Sequence, residues 1–250
     1  MMNTFTLTQP TDVFERFEKK FLLTKKQYEQ LKSALKSTMT PDTYGLHTIC
    51  NIYYDTHCSD LVRRSIAGPK YKEKLRLRSY GIPEASDTVF LEIKKKFEKI
   101  VYKRRVPLTL LEAEAYLNQG IHPDCDSQIL REIDYFINFY KPEPKLFLAY
   151  DRRAFFGTYD ASIRVTFDSN IRSRDCGLSL GDGDYGTPLL IDSAYLLEIK
   201  VPSAMPLWLT RILSELSIYP ISFSKYGTIY KHMIYKEQSD KGVLTCFPAF

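Results

Sequence analysis

Apolar and polar residues alternate along much of this chain, which is the pattern of half-buried β-strands. The clearest case is the stretch from Tyr71 to Tyr80, in which lysine or arginine occupies every second position and leucine falls between. Turn-forming residues separate the alternating stretches from one another. The pattern predicts strands at 13–23, 48–55, 60–67, 71–80, 88–98, 100–106, 145–156, 160–173 and 189–201.

Helical periodicity is rarer, and most helical stretches begin at a capping residue such as Thr24 or Thr109. The spacing of apolar residues predicts helices at 25–37, 110–118, 127–140, 206–217 and from 224 to about 236. No helix lies between each successive pair of strands, which disfavours a doubly wound parallel sheet. We therefore predict an α+β fold, an antiparallel sheet or barrel with helices packed outside.

Composition places the chain among ordinary globular domains. Hydrophobic residues make up 44% of the 250 residues and charged residues 26%, which excludes disordered and low-complexity classes. No apolar run approaches the roughly eighteen residues that cross a bilayer, and the first ten residues lack the apolar segment of a secretory signal. The five cysteines are scattered and form no C-x-x-C pair, so we expect neither a disulfide framework nor a zinc ribbon.

The net charge of +5 is distributed unevenly. Between Arg63 and Arg105 the chain has 14 Lys or Arg against 5 Asp or Glu, a local charge of +9 that leaves −4 for the rest. Such a concentration is typical of proteins with a polyanionic partner, whether nucleic acid, an anionic membrane surface or phosphate compounds. A solvated sheet face is the alternative explanation, and the spacing of the charges distinguishes the two.

Charged residues recur at every second position of the predicted strands, so they share one face of each strand. The side chains grouped in this way are Arg16, Glu18 and Lys20; Lys72, Lys74, Arg76 and Arg78; Glu92, Lys94 and Lys96; Lys103 and Arg105; Arg164; and Glu198 with Lys200. Lys19, Lys95 and Arg104 fall between these positions and are expected to point outward.

The charged side chains that share a strand face mostly carry charges of the same sign. Two like charges about 8 Å apart repel by about 2 kcal/mol at an effective dielectric constant of about 20, so adjacent basic strands need an anion between them. If the sheet closes, these faces line a cavity in which Arg and Lys hold phosphate oxygens. Glu18, Glu92 and Glu198 would then hold Mg²⁺ or Mn²⁺ bound to a triphosphate.

Eight short motifs occur in order along the chain: Arg16-x-Glu18-x-Lys20, Lys74-Leu-Arg76-Leu-Arg78, Leu91-Glu-Ile-Lys94, Lys103-Arg-Arg105, Tyr150-Asp-Arg152, Arg164-Val-Thr-Phe-Asp168, Leu197-Glu198-Ile-Lys200 and Ser222-Phe-Ser-Lys225. Together they resemble the VTC polyphosphate polymerase domain, a branch of the CYTH-like triphosphate tunnel metalloenzymes. The resemblance runs from about Phe14 to Tyr230. It implies a closed antiparallel β-barrel, the triphosphate tunnel, with helices outside, in a single domain spanning 1–250 with its core at about 14–236.

The resemblance also implies roles for individual residues. The side chains expected to act on the transferred phosphate are Arg76, Arg78, Lys94, Lys103, Arg152 and Arg164. Further phosphate contacts are expected from Lys20, Lys74, Lys96, Arg105, Tyr150, Lys200 and Lys225, with Tyr150 either orienting a phosphate or packing as a core aromatic. Glu198 would be the main metal ligand. Arg153 is ambiguous, because a β-bulge would exchange it with Arg152.

One position departs from the usual pattern of the superfamily, which opens with E-x-E-x-K. This chain has Arg16 in place of the first glutamate. A guanidinium in place of a carboxylate weakens metal binding and strengthens anion binding, as in the polymerase branch. The change disfavours a hydrolytic triphosphatase, which would need more carboxylates to hold a second metal and position water.

The implied activity is transfer of the γ-phosphate of ATP to a growing polyphosphate chain, with release of ADP and dependence on Mn²⁺ or Mg²⁺. The base of ATP would lie near the mouth of the tunnel. A tripolyphosphatase in the same tunnel and a non-catalytic sensor of polyphosphate or nucleotides are the alternatives. Nucleic-acid binding is disfavoured, because the basic residues alternate with Leu, Ile and Val rather than with stacking aromatics.

The expected partners are ATP and inorganic polyphosphate. Relatives are often fused to or assembled with membrane segments, and the sequence given has none. We therefore expect a cytoplasmic protein, which a separate membrane protein would bring to the inner face of the membrane.

Overall fold

The structure, a computed structural model, describes residues 13–14, 17–98, 100–125, 127–190 and 194–240. The strands are β1 (Val13–Phe14), β2 (Phe17–Leu23), β3 (Met39–Pro41), β4 (His47–Asp55), β5 (Tyr71–Tyr80), β6 (Thr88–Phe97), β7 (Ile100–Thr109), β8 (Glu143–Gly157), β9 (Arg164–Arg174), β10 (Thr187–Pro188) and β11 (Tyr195–Val201). The helices are α1 (Lys25–Ala34), α2 (Asp60–Ala67), α3 (Leu110–Gln119), α4 (Gln128–Tyr140), α5 (Leu207–Glu215) and α6 (Lys225–Asp240). The α+β prediction is confirmed.

All strands belong to one antiparallel sheet. Its order is β1-β7-β6-β5-β4-β8-β9-β11-β2, with β10 beside β9 and β3 beside β8. The predicted closed barrel is wrong in this respect: the ladder of described strands has two ends, β1 and β2. These two strands follow one another in the chain but are not paired with each other. Instead β1 pairs with β7 and β2 with β11.

The two faces of the sheet differ in chemistry, because side chains alternate along each strand. On β5, Leu75 and Leu77 are buried in an apolar cluster beneath α3 and α4, while Arg76 and Arg78 point to the opposite face. A second apolar cluster packs α1 and α5 against β2, β9 and β11. The apolar face is thus covered by helices, which leaves the charged face to form the inner surface.

A third apolar cluster joins α6 to the charged side of the sheet. Tyr226 and Ile229 of α6 pack with Tyr53 of β4 and Val62 of α2. The Tyr226 hydroxyl donates to the buried carboxylate of Asp55 at 3.0 Å. This contact fixes the first turn of α6 against the inner surface of the sheet.

Residues 60–67 form α2, so the predicted strand there is wrong. Asp55 stabilises the helix start, because its carboxylate accepts hydrogen bonds from the backbone of Leu61 and Val62 at 2.8 and 2.9 Å. Thr56 adds a third, accepting from the backbone of Asp60 at 2.9 Å. These bonds satisfy amides that have no partner within a helix, and they outweigh the β-propensity of the short apolar run.

The other predicted elements are found with small shifts at their ends. The strand expected over 13–23 is described as β1 and β2, and Arg16 lies outside the described residues. The strand expected over 189–201 is described only from Tyr195 as β11, and residues 191–193 are likewise outside. Within the described ranges, no helix is both long and apolar enough to cross a membrane.

Candidate functional site

A cavity of about 470 Å³ lies against the charged face of the sheet. Among the described residues, eleven lysine or arginine side chains and three glutamates line it. The predicted site residues in its wall are Lys20, Lys74, Arg76, Arg78, Lys94, Lys103, Arg105, Tyr150, Arg152, Arg164, Lys200, Lys225, Glu18, Glu92 and Glu198. Lys96 is the predicted residue that the structure does not bring into the wall; it lies on β6 opposite Lys72.

Glu92 is enclosed by arginine and lysine. Its side chain is 1% exposed and makes ion pairs with Arg76 at 2.6 Å and with Lys103 at 2.8 Å, and a longer one with Arg78 at 3.8 Å. Burial alone would raise the pKa of this carboxyl, but the three cations outweigh it and hold the pKa far below its usual range. Glu92 therefore stays ionised and fixes the guanidiniums around it.

Asp168 forms a second enclosed cluster. Its buried carboxylate accepts two hydrogen bonds from Arg152, at 2.6 and 2.8 Å, and one from Lys225 at 2.6 Å. Both cations also lie over the ring of Tyr150, at 5.1 and 4.3 Å from its centre. The hydroxyl of Tyr150 accepts from Arg78 at 3.2 Å, so this residue connects strands β5 and β8 with the start of α6.

Arg152 and Arg153 point to opposite sides of the sheet. The pairing of β8 with β9 shifts register between Ala149 and Asp151, and the extra residue belongs to β9, where Asn170 has a φ of 48°. Because the bulge lies in β9, the alternation along β8 continues undisturbed. Arg152 consequently faces the cavity, and Arg153 lies outside it.

Glu18 and Glu198 meet through two shared lysines. Lys20 lies 3.2 Å from Glu18 and 4.0 Å from Glu198, and Lys200 lies 3.8 Å from Glu18 and 2.7 Å from Glu198. Pairing of β2 with β11 sets this geometry, since Lys20 is opposite Glu198 and Glu18 is opposite Lys200. Burial alone would raise the pKa of Glu198, but Lys200 and Lys20 lower it by more than burial raises it. This carboxyl is therefore ionised.

The predicted trio of metal ligands is therefore divided between two clusters, with Glu92 apart from the other two. In the described part of the chain, no group of three His, Cys, Asp or Glu side chains is placed to hold a metal ion. Two carboxylates together with substrate phosphates are nevertheless a common way to bind Mg²⁺. Glu198 and Glu18 fit such a site because they share Lys20 and Lys200, whereas Glu92 has no second carboxylate in its cluster of described residues.

Four cations of the cavity wall have no carboxylate partner within the described residues: Lys74, Lys94, Arg105 and Arg164. Burial lowers the pKa of Lys74 to about 8 and also lowers the pKa of Lys94. The Nε atom of Arg164 is buried without a hydrogen-bond partner, and its guanidinium lies 5.1 Å from the centre of the Phe156 ring. Partly buried cations without a carboxylate partner are costly, so this arrangement favours a bound anion of several charges.

The outward charges predicted from the alternation are also in place. Lys95 lies 2.5 Å from Glu132 of α4, and Arg104 lies 3.3 Å from the same carboxylate. These basic residues are neutralised by a helix on the apolar side of the sheet.

Sequence reasoning missed several residues of the site. Asp168 belongs to one of the eight motifs, but no function was predicted for it. Its even spacing from Arg164 places it on the same strand face as that arginine. Ser224 and Tyr226 line the cavity because the first turn of α6 packs against Tyr53. No local pattern predicts that contact. His47 and Tyr80 also line the cavity, and no charge pattern marks them.

The chain is similar to several known proteins. The family model for the VTC domain matches residues 15–234. A Bacillus halodurans protein described as a candidate adenylate cyclase superposes with a TM-score of 0.54 at 16% identity, over 86% of this chain and 96% of that one. A Hippeastrum protein described as a candidate adenylyl cyclase with a dominant triphosphatase activity gives 0.51 at 15% identity, over 86% and 95%. The search of curated proteins finds no match. Because the family model spans most of its length, this chain belongs to the VTC domain family.

Proposed function

We propose that this protein is a polyphosphate polymerase that transfers the γ-phosphoryl group of ATP to the end of an inorganic polyphosphate chain and releases ADP. The observation that carries the proposal is the cavity wall, in which, as far as the chain is described, eleven cations face three glutamates and Lys74, Lys94 and Arg164 have no carboxylate partner. A linear chain of phosphates supplies the missing negative charge along the whole cavity. Membership of the VTC domain family supports the same substrate class.

In this reaction an oxygen of the terminal phosphate of the polymer attacks the γ-phosphorus of ATP. The bond between the γ-phosphorus and the β–γ bridging oxygen breaks, and the electron pair leaves with ADP. The attacking oxygen is already anionic, so no general base is required. The work of the protein is to align the two phosphates and to neutralise the charge on the transferred group.

The cations of the cavity wall differ in whether a carboxylate holds them in place, and in which one. Glu92 fixes Arg76, Arg78 and Lys103, so their guanidinium and ammonium groups are set before substrate arrives. Asp168 sets the cavity side chains Arg152 and Lys225 in the same way. We assign these fixed cations except Lys225, together with Arg164 and Lys94, to the transferred phosphate. Lys20, Lys74, Arg105, Lys200 and Lys225 are assigned to the phosphates on either side, and Lys96 has no part because it lies outside the wall.

Glu198 and Glu18 are the residues that would hold Mn²⁺ or Mg²⁺. When bound, the ion neutralises charge on the phosphate oxygens. Lys20 and Lys200 now occupy these carboxylates, so a phosphate that draws the lysines away would free carboxylate oxygens for the ion. Occurrence in the cytoplasm and recruitment by a membrane partner remain predictions.

The direct test is to incubate the purified protein with ATP and Mn²⁺ and to separate the products on a gel that resolves polyphosphate. Long chains from the wild type, and none from Glu198→Ala, are expected. Orthophosphate without polymer would instead identify a triphosphatase. Tight binding of ATP and tripolyphosphate without turnover would identify a sensor.

Anion binding should weaken as the pH rises through about 8. Burial lowers the pKa of both Lys74 and Lys103 to about 8, although Glu92 raises that of Lys103. An anion binds the protonated form, so above this pH each lysine must take up a proton, and the affinity for tripolyphosphate falls by up to about tenfold per pH unit for each.

Calorimetric titration with tripolyphosphate at pH 7 and pH 9, in metal-free buffer, measures this dependence. Lys103→Arg is the matched control, because a guanidinium remains charged across that range. We expect a smaller loss of affinity at pH 9 in the variant than in the wild type. An identical loss in both proteins would mean that the titration of Lys103 does not weaken binding, contrary to this explanation.

A further inference from the structure

Four aromatic rings form a connected group at one edge of the cavity; we call Tyr44, His47, Tyr80 and Phe90 the aromatic rim. The ring centres are 6.0 Å apart between Tyr44 and His47, 6.1 Å between His47 and Tyr80, and 5.8 Å between Tyr80 and Phe90. The guanidinium of Arg105 lies 4.6 Å from the centre of the Phe90 ring. The rim therefore runs from the start of β4 across the end of β5 to the start of β6.

The rim is continuous with the phosphate-binding wall and also open to solvent. His47, Tyr80 and Arg105 line the same cavity as Arg152 and Arg164. Tyr80 is nevertheless 52% exposed and Tyr44 is 77% exposed, although large aromatic side chains gain stability when they are buried. Aromatic faces left open beside a cationic cavity suit a ligand that has an anionic end and a flat ring system.

We propose that the aromatic rim stacks against the base of the nucleoside triphosphate whose phosphates occupy the cavity. The inference rests on the nucleotide donor of the proposed function and adds the residues that distinguish a nucleotide from an inorganic triphosphate. Every base presents a π-face, so stacking tolerates a change of base. We therefore expect ATP and GTP to bind with affinities within a few-fold of each other.

The experiment is calorimetric titration of the full chain with ATP, GTP and inorganic tripolyphosphate. Tyr80→Leu removes the ring, and Tyr80→Phe keeps it. Tyr135→Leu is the matched control, because Tyr135 is 68% exposed on α4 and is absent from the cavity wall. Thermal unfolding of each variant verifies that it is folded.

Tyr80→Leu is expected to weaken ATP binding about tenfold, within the range found when one stacking ring is removed, and to leave tripolyphosphate binding unchanged. Tyr80→Phe and Tyr135→Leu should bind both ligands like the wild type. Unchanged ATP binding in Tyr80→Leu, or an equal loss for both ligands, would overturn the proposal. So would a wild type that binds tripolyphosphate but not ATP.

Failure of the proposed base-binding site can be distinguished from failure of the proposed polymerase activity. If the wild type makes no polymer but Tyr80→Leu loses affinity for ATP alone, polymerase activity is refuted and the aromatic rim remains a base-binding site. A protein that binds neither ligand would refute both proposals.

Discussion

Arg164→Ala lowers the rate of polymer formation from ATP by about 100- to 1,000-fold, the effect of removing one group that stabilises developing charge. Arg164 lines the cavity beside Arg152, and its Nε atom is buried without a partner. Stability should change little, by about 1 kcal/mol or less, because the lost contact is mainly that with the Phe156 ring. Turnover and urea unfolding of the purified variant measure the two effects.

Arg153→Ala is the control for this prediction. Arg153 lies on β8 next to Arg152 in the chain but points away from the cavity, so its loss should leave turnover near the wild-type value. Normal turnover in Arg164→Ala, or an equal loss in both variants, would contradict the assignment of the inner face as the site.

Asp168→Ala lowers the free energy of unfolding by about 3–5 kcal/mol, the cost of leaving buried charges without their partner. The change deprives Arg152 and Lys225 of a carboxylate that is fully buried and within 2.6 Å of both. Burial alone would raise the pKa of Asp168, but Lys225 and Arg152 lower it by more than burial raises it. The ionised form therefore stabilises the fold. Its contribution is present above the ordinary pKa of an aspartate and is lost as the pH falls towards the lowered value.

Asp184→Ala provides the comparison. Its carboxylate lies 2.5 Å from Arg172 but is 39% exposed, and Asp151 pairs with the same arginine. We expect a loss of about 1 kcal/mol or less. Tripolyphosphate stabilises every variant that binds it, and it should stabilise Asp168→Ala more than Asp184→Ala, because in the first variant the anion also neutralises the two abandoned cations. Equal destabilisation of the two variants would refute the role given to Asp168.

The alternation of charged and apolar residues was sufficient to predict much of the candidate site. On β5 it identified Arg76 and Arg78 as inner side chains, because neighbouring residues of a strand point to opposite faces. The same rule identified Lys95 and Arg104 as outer ones, and both pair with Glu132. Local spacing is enough in these cases, since one strand determines the direction of its own side chains.

Features that depend on contacts between distant segments were not predicted. The helical state of 60–67 depends on Asp55, and the ambiguity of Arg153 is settled only by the position of the bulge, which lies in the neighbouring strand β9. Alternation also placed Lys96 with the inner group, although it lies near the end of β6 and outside the cavity wall. The separation of Glu92 from Glu198 likewise follows from the order of strands, which the spacing of residues along one strand does not specify.

The central claim is that the γ-phosphate of ATP becomes part of a polymer. Wild-type protein is incubated with ATP labelled in the γ-phosphate, Mn²⁺ and a short unlabelled polyphosphate primer, and the label is followed together with the ADP released. We predict that the label enters polymer longer than the primer, with one ADP formed for each phosphate added. Label recovered only as orthophosphate, with the primer unextended, would contradict the claim.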